Sequence, residues 1–449
     1  MSLKILFVSL GCDKNLVDSE KMLGLLNERG YEITDDEAEA DVCVINTCCF
    51  IGDAKVESIN TILEMAKLKE GRLKSLIVTG CLAQRYKEEI RQDIPEVDEI
   101  IGTSAYDKIV EAIESSISDL RYEYMESLER LPVVKAKRML STIGNHYAYL
   151  KIAEGCEKNC TYCIIPKIRG KYRSVPMEEL VAEARTLVED GVRELILVAQ
   201  ETTLYGVDLY GGKSLHKLIA ELSKIEELHW IRLLYCYPEE IYDELIDEMV
   251  NNEKFVHYLD LPIQHCSDRI LRRMGRRTDK QSLKNTVSKL RSRVDDIILR
   301  TTLIAGFPGE TDDDFEEMLD FVDEMEFDRL GVFPYSPEEN TPAAGFEDQV
   351  DDEVKNYRRD QIMGLSGEIA VYKAESYVGR EFDVIIEGYI DSENAYVGRT
   401  YMDAPGVDGY IFLTYASDVT DRRELMAGDF VRAKVIKTGD YDLVGEIIQ

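Results

Sequence analysis

At 449 residues, with 45% apolar side chains, the chain is too long for one ordinary hydrophobic core and too apolar to be disordered. Its 54 basic and 87 acidic residues give a formal charge of −33, which repels phosphate backbones and favours a basic partner. No apolar run reaches the roughly eighteen residues of a membrane span, and ten cysteines on a chain whose Met1 runs straight into strand-like Lys4–Ser9 predict a cytoplasmic, reducing setting.

The first hundred or so residues alternate strand and helix three times. Residues 3–10 are an apolar run, and 16–29 carry helical periodicity closed by Gly30. Residues 41–46 and 76–79 read as buried strands, with helices over 56–68 and 85–90. This rhythm predicts a parallel α/β domain over 1–125. Cys12, Cys48 and Cys81 each stand just past the carboxyl end of a strand, the edge along which open parallel sheets assemble their sites. Roughly 35 residues apart, the three can meet at one point. The alternative is that they fill the sheet as small buried side chains, a reading that suits Cys43 inside its strand better. Cys49 adjoins Cys48, points elsewhere and reads as a spare thiol. Gly11 and Gly80 suit close backbone approach to a bulky ligand.

Residues 103–145 form a connecting region with a helix over 105–117 and a basic patch, Lys135, Lys137 and Arg138, that reads as a solvated face. From Tyr147 the βα rhythm restarts, with strands near 148–153, 193–199, 230–236, 257–263, 297–305 and 329–335. Helices are expected over 175–189, 215–225, 239–250, 283–291 and 312–325. Six parallel units predict a partial (β/α)6 barrel, which with a connecting helix at 346–375 spans 140–375 and carries its site at the carboxyl ends of the strands.

The loop after the first of these strands is Gly155-Cys-Glu-Lys-Asn-Cys-Thr-Tyr-Cys163. Three thiolates with three and two residues between them can ligate three irons of one [4Fe–4S] cube and leave the fourth open to a chelating ligand. Zinc prefers four ligands in CxxC pairs, and no His is near. Gln200 and Glu201 follow the second strand, Gln264 and His265 the fourth, and Gly306-Phe-Pro308-Gly-Glu310 the fifth. Glycine and proline there would let the backbone pass close to an adenosine, whereas His265 alone reads as a structural histidine. Residues 376–449 change character: 382–387, 395–400, 410–414, 429–437 and 442–448 alternate apolar and polar residues and predict a small five-stranded antiparallel barrel. Such barrels often bind RNA, but 14 acidic against 7 basic residues argue against it here.

Taken together, Ser9-Leu-Gly-Cys-Asp-Lys-Asn-Leu-Val-Asp-Ser-Glu20, Asn46-Thr-Cys48, Thr79-Gly-Cys81, Glu154-Gly-Cys156, Cys163-Ile-Ile-Pro166, Tyr258-Leu-Asp-Leu-Pro-Ile-Gln-His265 and Gly306-Phe-Pro-Gly-Glu-Thr311 resemble the radical S-adenosylmethionine methylthiotransferases. The final barrel resembles their TRAM domain, so the likeness covers essentially the whole chain. Within the family, Cys12 to Glu20, Ala199-Gln-Glu-Thr-Thr203 and Tyr396-Val-Gly-Arg-Thr-Tyr401 resemble the branch that modifies an aspartate of protein twelve of the small ribosomal subunit.

The resemblance implies two [4Fe–4S] clusters. One, on Cys156, Cys160 and Cys163, binds S-adenosylmethionine and makes a 5′-deoxyadenosyl radical; the other, on Cys12, Cys48 and Cys81, presents sulfur to the substrate β-carbon. It further implies cofactor contacts from Tyr162, Gln200, Glu201, Gly306, Pro308 and Glu310, with no catalytic residue beyond the cluster ligands. The implied partners are a basic ribosomal protein, an electron donor of the flavodoxin or ferredoxin type and a sulfur donor that the sequence does not identify; neither membrane nor tRNA is expected. The chain departs from the branch at Asp13 (usually proline), Cys49 (glycine), Glu201 (aspartate) and Val175 (arginine or lysine). Two rivals stand beside this reading. A tRNA adenosine methylthiotransferase shares both clusters but not the acidic balance, and a non-catalytic iron–sulfur carrier has no need of a six-unit barrel.

Overall fold

The structure, a computed structural model, describes residues 3–448 apart from 119, 121, 142, 143, 418, 421 and 440. Its first domain is built on β1 (Lys4–Ser9), β2 (Glu32–Thr34), β3 (Val42–Thr47), β4 (Ser75–Gly80), β5 (Glu99–Ile101) and β6 (Glu123–Tyr124), an all-parallel sheet of order β2-β1-β3-β4-β5-β6. Period-two alternation assigns its faces. Val42 and Val44 pack on Met22, Leu26 and Ile109, while Cys43 and Ile45 pack among Ile62, Leu76 and Leu82. The three short strands β2, β5 and β6 are too brief to carry a hydrophobic period, and the sequence reading lacks them.

The second domain runs through β7 (Tyr147–Lys151), a two-stranded antiparallel neck of β8 (Ala153–Glu154) and β9 (Arg173–Ser174), then β10 (Glu194–Val198), β11 (Trp230–Leu233), β12 (Phe255–Asp260), β13 (Ile298–Ala305) and β14 (Arg329–Pro334). Six of these make an open parallel sheet of order β14-β13-β12-β11-β10-β7, as the six βα units predict. One face is covered by helices through Leu195, Leu197, Leu259 and Leu299. The other face meets the third domain: Ile196, Trp230, Tyr258 and Ile298 share a core with Phe382, Val384 and Val431.

That third domain is a closed barrel of β15 (Glu381–Ile390), β16 (Ala395–Arg399), β17 (Ile411–Tyr415), β18 (Phe430–Thr438) and β19 (Leu443–Ile447), in the order β15-β16-β17-β19-β18. Four of its five strand pairings are antiparallel, as expected, and the fifth, β17 with β19, is parallel. A closed ring of five strands cannot alternate direction all the way round, so one neighbouring pair must be parallel.

The basic patch needs correction at Arg138 alone, since Lys135 and Lys137 are exposed as expected. Arg138 is buried rather than solvated: its Nε donates to Glu20 Oε2 at 2.7 Å and its Nη1 to the Tyr149 carbonyl at 2.7 Å and Glu183 Oε1 at 3.1 Å. The connecting chain thereby straps helix Asp13–Glu28 of the first domain onto β7 and helix Met177–Glu189 of the second. Among the described residues no helix is long and apolar enough to cross a membrane.

Candidate functional site: two cysteine trios on one buried seam

Sheet order places β1, β3 and β4 side by side, so the residues that follow them are neighbours. Cys12 precedes helix Asp13–Glu28, Cys48 follows β3, and Cys81 opens helix Cys81–Arg85. Two glycines make the strand ends possible. Gly11 has φ +93°, and a Cβ there would stand 2.7 Å from Cys48 Cβ. Gly80, at the same φ, would place one 2.3 Å from Asn46 Oδ1. Asn15 Nδ2 stitches the loops together by donating to the carbonyls of Leu10 (3.1 Å) and Thr47 (2.9 Å). Ser58 clamps Cys48, accepting from its amide at 3.0 Å and donating to its carbonyl at 2.8 Å. Cys12 is exposed, whereas Cys48 and Cys81 are buried. Burial pushes the Cys48 thiol up and the Cys81 thiol to about 11, the latter against the opposing pull of Arg169.

The CxxxCxxC loop hangs from the β8–β9 neck. Gly155 has φ +83°, and a Cβ there would lie 2.1 Å from the Lys171 carbonyl, so only glycine lets the loop fold back on its own exit. The loop's middle is held from outside: the Thr161 amide donates to the Met274 carbonyl at 2.9 Å and its hydroxyl to the Arg273 carbonyl at 2.8 Å. Within the loop the Cys163 amide reaches the Cys160 carbonyl at 3.0 Å, and Cys160 Sγ lies 3.6 Å from Tyr237 Oη. Burial raises the Cys156 thiol to about 11 and Cys163 further. Among the described residues no three His, Cys, Asp or Glu side chains converge as they would on a single metal ion. A cubane does not ask for that, because each thiolate binds a different iron. A thiol trio on one pinned loop and a second on three adjacent strand ends both fit such a donor set.

The remaining predicted residues divide. Gln200 accepts from the Gly155 amide at 2.8 Å and donates to Glu154 Oε1 at 2.8 Å, which fixes the start of the loop. Glu201 is fully buried; its Oε1 accepts from the amide (2.9 Å) and hydroxyl of Thr203, while Oε2 has no partner among the described residues. Burial, opposed by Thr203, pushes its carboxyl up to about 7. Tyr162 stands edge-on to Phe307, ring centroids 6.5 Å apart.

In the turn after β13, Gly306 (φ +70°) and Gly309 (φ +81°) flank buried Phe307 and Pro308. The expectation that Glu310 contacts a cofactor directly needs correction. Its Oε2 accepts from the amides of Gly306 (2.8 Å) and Phe307 (3.1 Å), and its Oε1 from Arg358 (2.9 Å), so the carboxylate is spent on shaping the turn. His265 Nδ1 accepts from the amides of Cys266 and Ser267, both at 3.0 Å, the structural role expected of it. Val175 packs against the helix-side core, where a basic side chain would have to be desolvated.

A seam between the trios escaped the sequence reading. Arg169 Nη1 donates to Asp18 Oδ2 (2.9 Å) and Glu154 Oε2 (3.2 Å), and its Nη2 to Asn15 Oδ1 and to Cys81 Sγ at 3.3 Å. Lys151 Nζ joins Asp18 and Glu154 from the other side, the latter at 2.7 Å. Nearby, Tyr235 Oη donates to Asp13 Oδ1 at 3.1 Å, and Lys14 Nζ lies 3.2 Å from the centre of the Tyr235 ring. One sequence signal could have found this seam. Asn15, Asp18 and Ser19 continue the helical stripe of Met22 and Leu26 in polar residues, and a polar extension of a buried stripe points to a buried polar site.

Comparison with known proteins follows this anatomy. Residues 4–102 match the uncharacterized protein family UPF0004, 150–322 the Radical SAM superfamily and 378–448 the TRAM domain. The chain is 57% identical to the ribosomal protein uS12 methylthiotransferase RimO of Lachnoclostridium phytofermentans over 99% of each chain. It is 50% identical to the RimO of Acetivibrio thermocellus, over 100% of this chain and 99% of the relative. Among solved structures, the radical S-adenosylmethionine methyltransferase TsrM from Kitasatospora setae superposes with a TM-score of 0.53 at 14% identity, covering 76% of this chain and 77% of that one. The cobalamin-dependent radical enzyme OxsB gives 0.52 at 13%, over 80% and 56%. These two share the fold alone. Full-length identity of about half or more to several curated relatives shows that the chain belongs to the RimO family of radical S-adenosylmethionine methylthiotransferases.

Proposed function

We propose that the chain adds a methylthio group to the β-carbon of an aspartate of ribosomal protein uS12, using two [4Fe–4S] clusters held by separate cysteine trios. Family membership supports the reaction. The observation that carries the two-site reading is the buried seam of Arg169, Asp18 and Glu154, which joins the strand-end trio to the CxxxCxxC loop. Cys156, Cys160 and Cys163 would hold the cluster that binds S-adenosylmethionine, and Cys12, Cys48 and Cys81 the second. When bound, these groups supply reductive cleavage of S-adenosylmethionine to a 5′-deoxyadenosyl radical and a source of sulfur and methyl.

The protein's share is placement. Gln200 fixes Gly155, Glu310 shapes the glycine turn, and Tyr162 with Phe307 gives that side of the loop an aromatic wall. Tyr162, Gln200, Glu201, Gly306 and Pro308 remain the residues proposed to surround the cofactor, Glu201 through its unpaired buried oxygen. Burial of Cys48, Cys81, Cys156 and Cys160 limits the water that can reach a radical's path. A net charge of −33 suits a basic protein substrate and opposes tRNA. A small reductant of flavodoxin or ferredoxin type and a sulfur donor complete the scheme. The test is mass spectrometry of uS12 and of tRNA after incubation with anaerobically reconstituted protein, S-adenosylmethionine and dithionite. A methylthio mass on the uS12 peptide is expected; methylthio-adenosine on tRNA with unmodified uS12 would move the chain to the tRNA branch.

A further inference from the structure

The buried groups of the seam include one that touches a thiol and is not itself a metal ligand. Arg169 is 2% exposed and is the last residue of helix Ile165–Arg169, directly downstream of the CxxxCxxC loop. Upstream of the same loop stands Glu154, whose Oε2 accepts from Arg169 at 3.2 Å. Both flanks of the first loop therefore meet at one guanidinium, and the other arm of that guanidinium reaches the second trio at Cys81 Sγ, 3.3 Å away.

We propose that Arg169 is a positioning residue of the second cysteine site, holding the Cys81 sulfur in place and setting the reduction potential of the cluster bound there. This rests on the reading of Cys12, Cys48 and Cys81 as cluster ligands. A guanidinium is planar, and two carboxylates, Asp18 and Glu154, fix this one on its Nη1 side, so its Nη2 is aimed rather than free to follow the sulfur. A hydrogen bond and a positive charge at a ligand sulfur stabilise the reduced, more negative state of an iron–sulfur cluster and raise its potential. Asp18 and Glu154 are also matched by Lys151, so a second cation remains beside them when Arg169 is replaced. A merely structural Arg169 would affect folding without any effect confined to one cluster.

The experiment uses the full-length, anaerobically reconstituted chain in two backgrounds. Cys156→Ala/Cys160→Ala/Cys163→Ala isolates the second site, and Cys12→Ala/Cys48→Ala/Cys81→Ala isolates the first. Each is combined with Arg169, Arg169→Gln or Arg169→Lys, and iron, sulfide and an EPR-monitored redox titration are read. In the second-site background Arg169→Gln is expected to keep about four irons per chain and shift the midpoint to more negative potential. Arg169→Lys should give a smaller shift in the same direction. The first-site background should be unmoved. Loss of iron from the second site alone also supports the proposal. An unchanged second-site potential with iron intact, or an equal shift or iron loss in both backgrounds, overturns it. No iron in the second-site background with native Arg169 would instead overturn the two-cluster reading, and this proposal with it.

Discussion

Adjacent thiols can have opposite fates, and Cys48 and Cys49 illustrate why. Cys49 is fully buried in the apolar core under the sheet, with its thiol pushed up to about 12 by burial, while Ser58 holds the backbone of Cys48 at the strand end. Reconstituted Cys49→Ser should therefore keep about eight irons per chain, and Cys48→Ala or Cys160→Ala should keep about four. The opposite pattern in an iron and sulfide assay would reassign the second trio. Glu201 gives a pH signature at the same scale. Its ordinary value of 4.5 rises to about 7 in the folded chain, so the folded state keeps a proton that the unfolded state loses. The resulting stabilisation is complete below about pH 4.5 and is lost as pH rises through about 7, on the order of 3 kcal/mol in all. Denaturant unfolding of the cluster-free chain at pH 5 and pH 8 should show this loss, and Glu201→Gln should reduce it. An equal or steeper fall with glutamine in place would contradict the assignment. The placement of the six predicted cysteines was legible because each sits just past a strand end or in the CxxxCxxC motif. Arg169, Asp18 and Glu154 were not, because a buried ion network joins residues 151 and 15 positions apart and leaves no local period.

Among elements, the long strands were readable from apolar runs, and the neck of β8 and β9 was hidden by its length of two residues each. Yet the neck decides how the cluster loop closes. Gly155→Ala would drive a Cβ to 2.1 Å from the Lys171 carbonyl at a φ of +83°, so it should cost the first site its cluster and leave the second, halving iron per chain. Full iron in this variant would show that the loop has freedom its geometry denies. The strap at Arg138 makes a stability prediction. Arg138→Met leaves Glu20 buried with its Arg138 hydrogen bonds gone, although the Ser141 amide still donates to it at 2.9 Å. Breaking one side of a buried pair costs about 3–5 kcal/mol, and the midpoint of urea unfolding should fall accordingly. A change under about 1 kcal/mol would return Arg138 to the solvated face that its sequence context suggests.

At the scale of the whole molecule, three domains were legible from rhythm and composition, but their docking was not. The barrel joins the central sheet through a buried network in which Arg232 and Arg399 both donate to Glu194 at 2.7 Å, and Arg399 also donates to Glu387 at 2.5 Å. In sequence Glu194, Arg232 and Glu387 read only as isolated charges, and Arg399 only as part of the stretch Tyr396–Tyr401. The acidic surface predicts that uS12 binding weakens as salt rises from about 50 to 300 mM, because exposed charges are screened over a shorter distance; salt-independent affinity in a titration series would remove electrostatics from recognition. The central claim is that two sites divide the work, and its most direct test quantifies 5′-deoxyadenosine and methylthiolated uS12 peptide in the same reaction. Wild type should form both. Cys48→Ala should still release 5′-deoxyadenosine but form no methylthio product, and Cys160→Ala should form neither. Methylthiolated peptide from Cys48→Ala at the wild-type level would contradict the account.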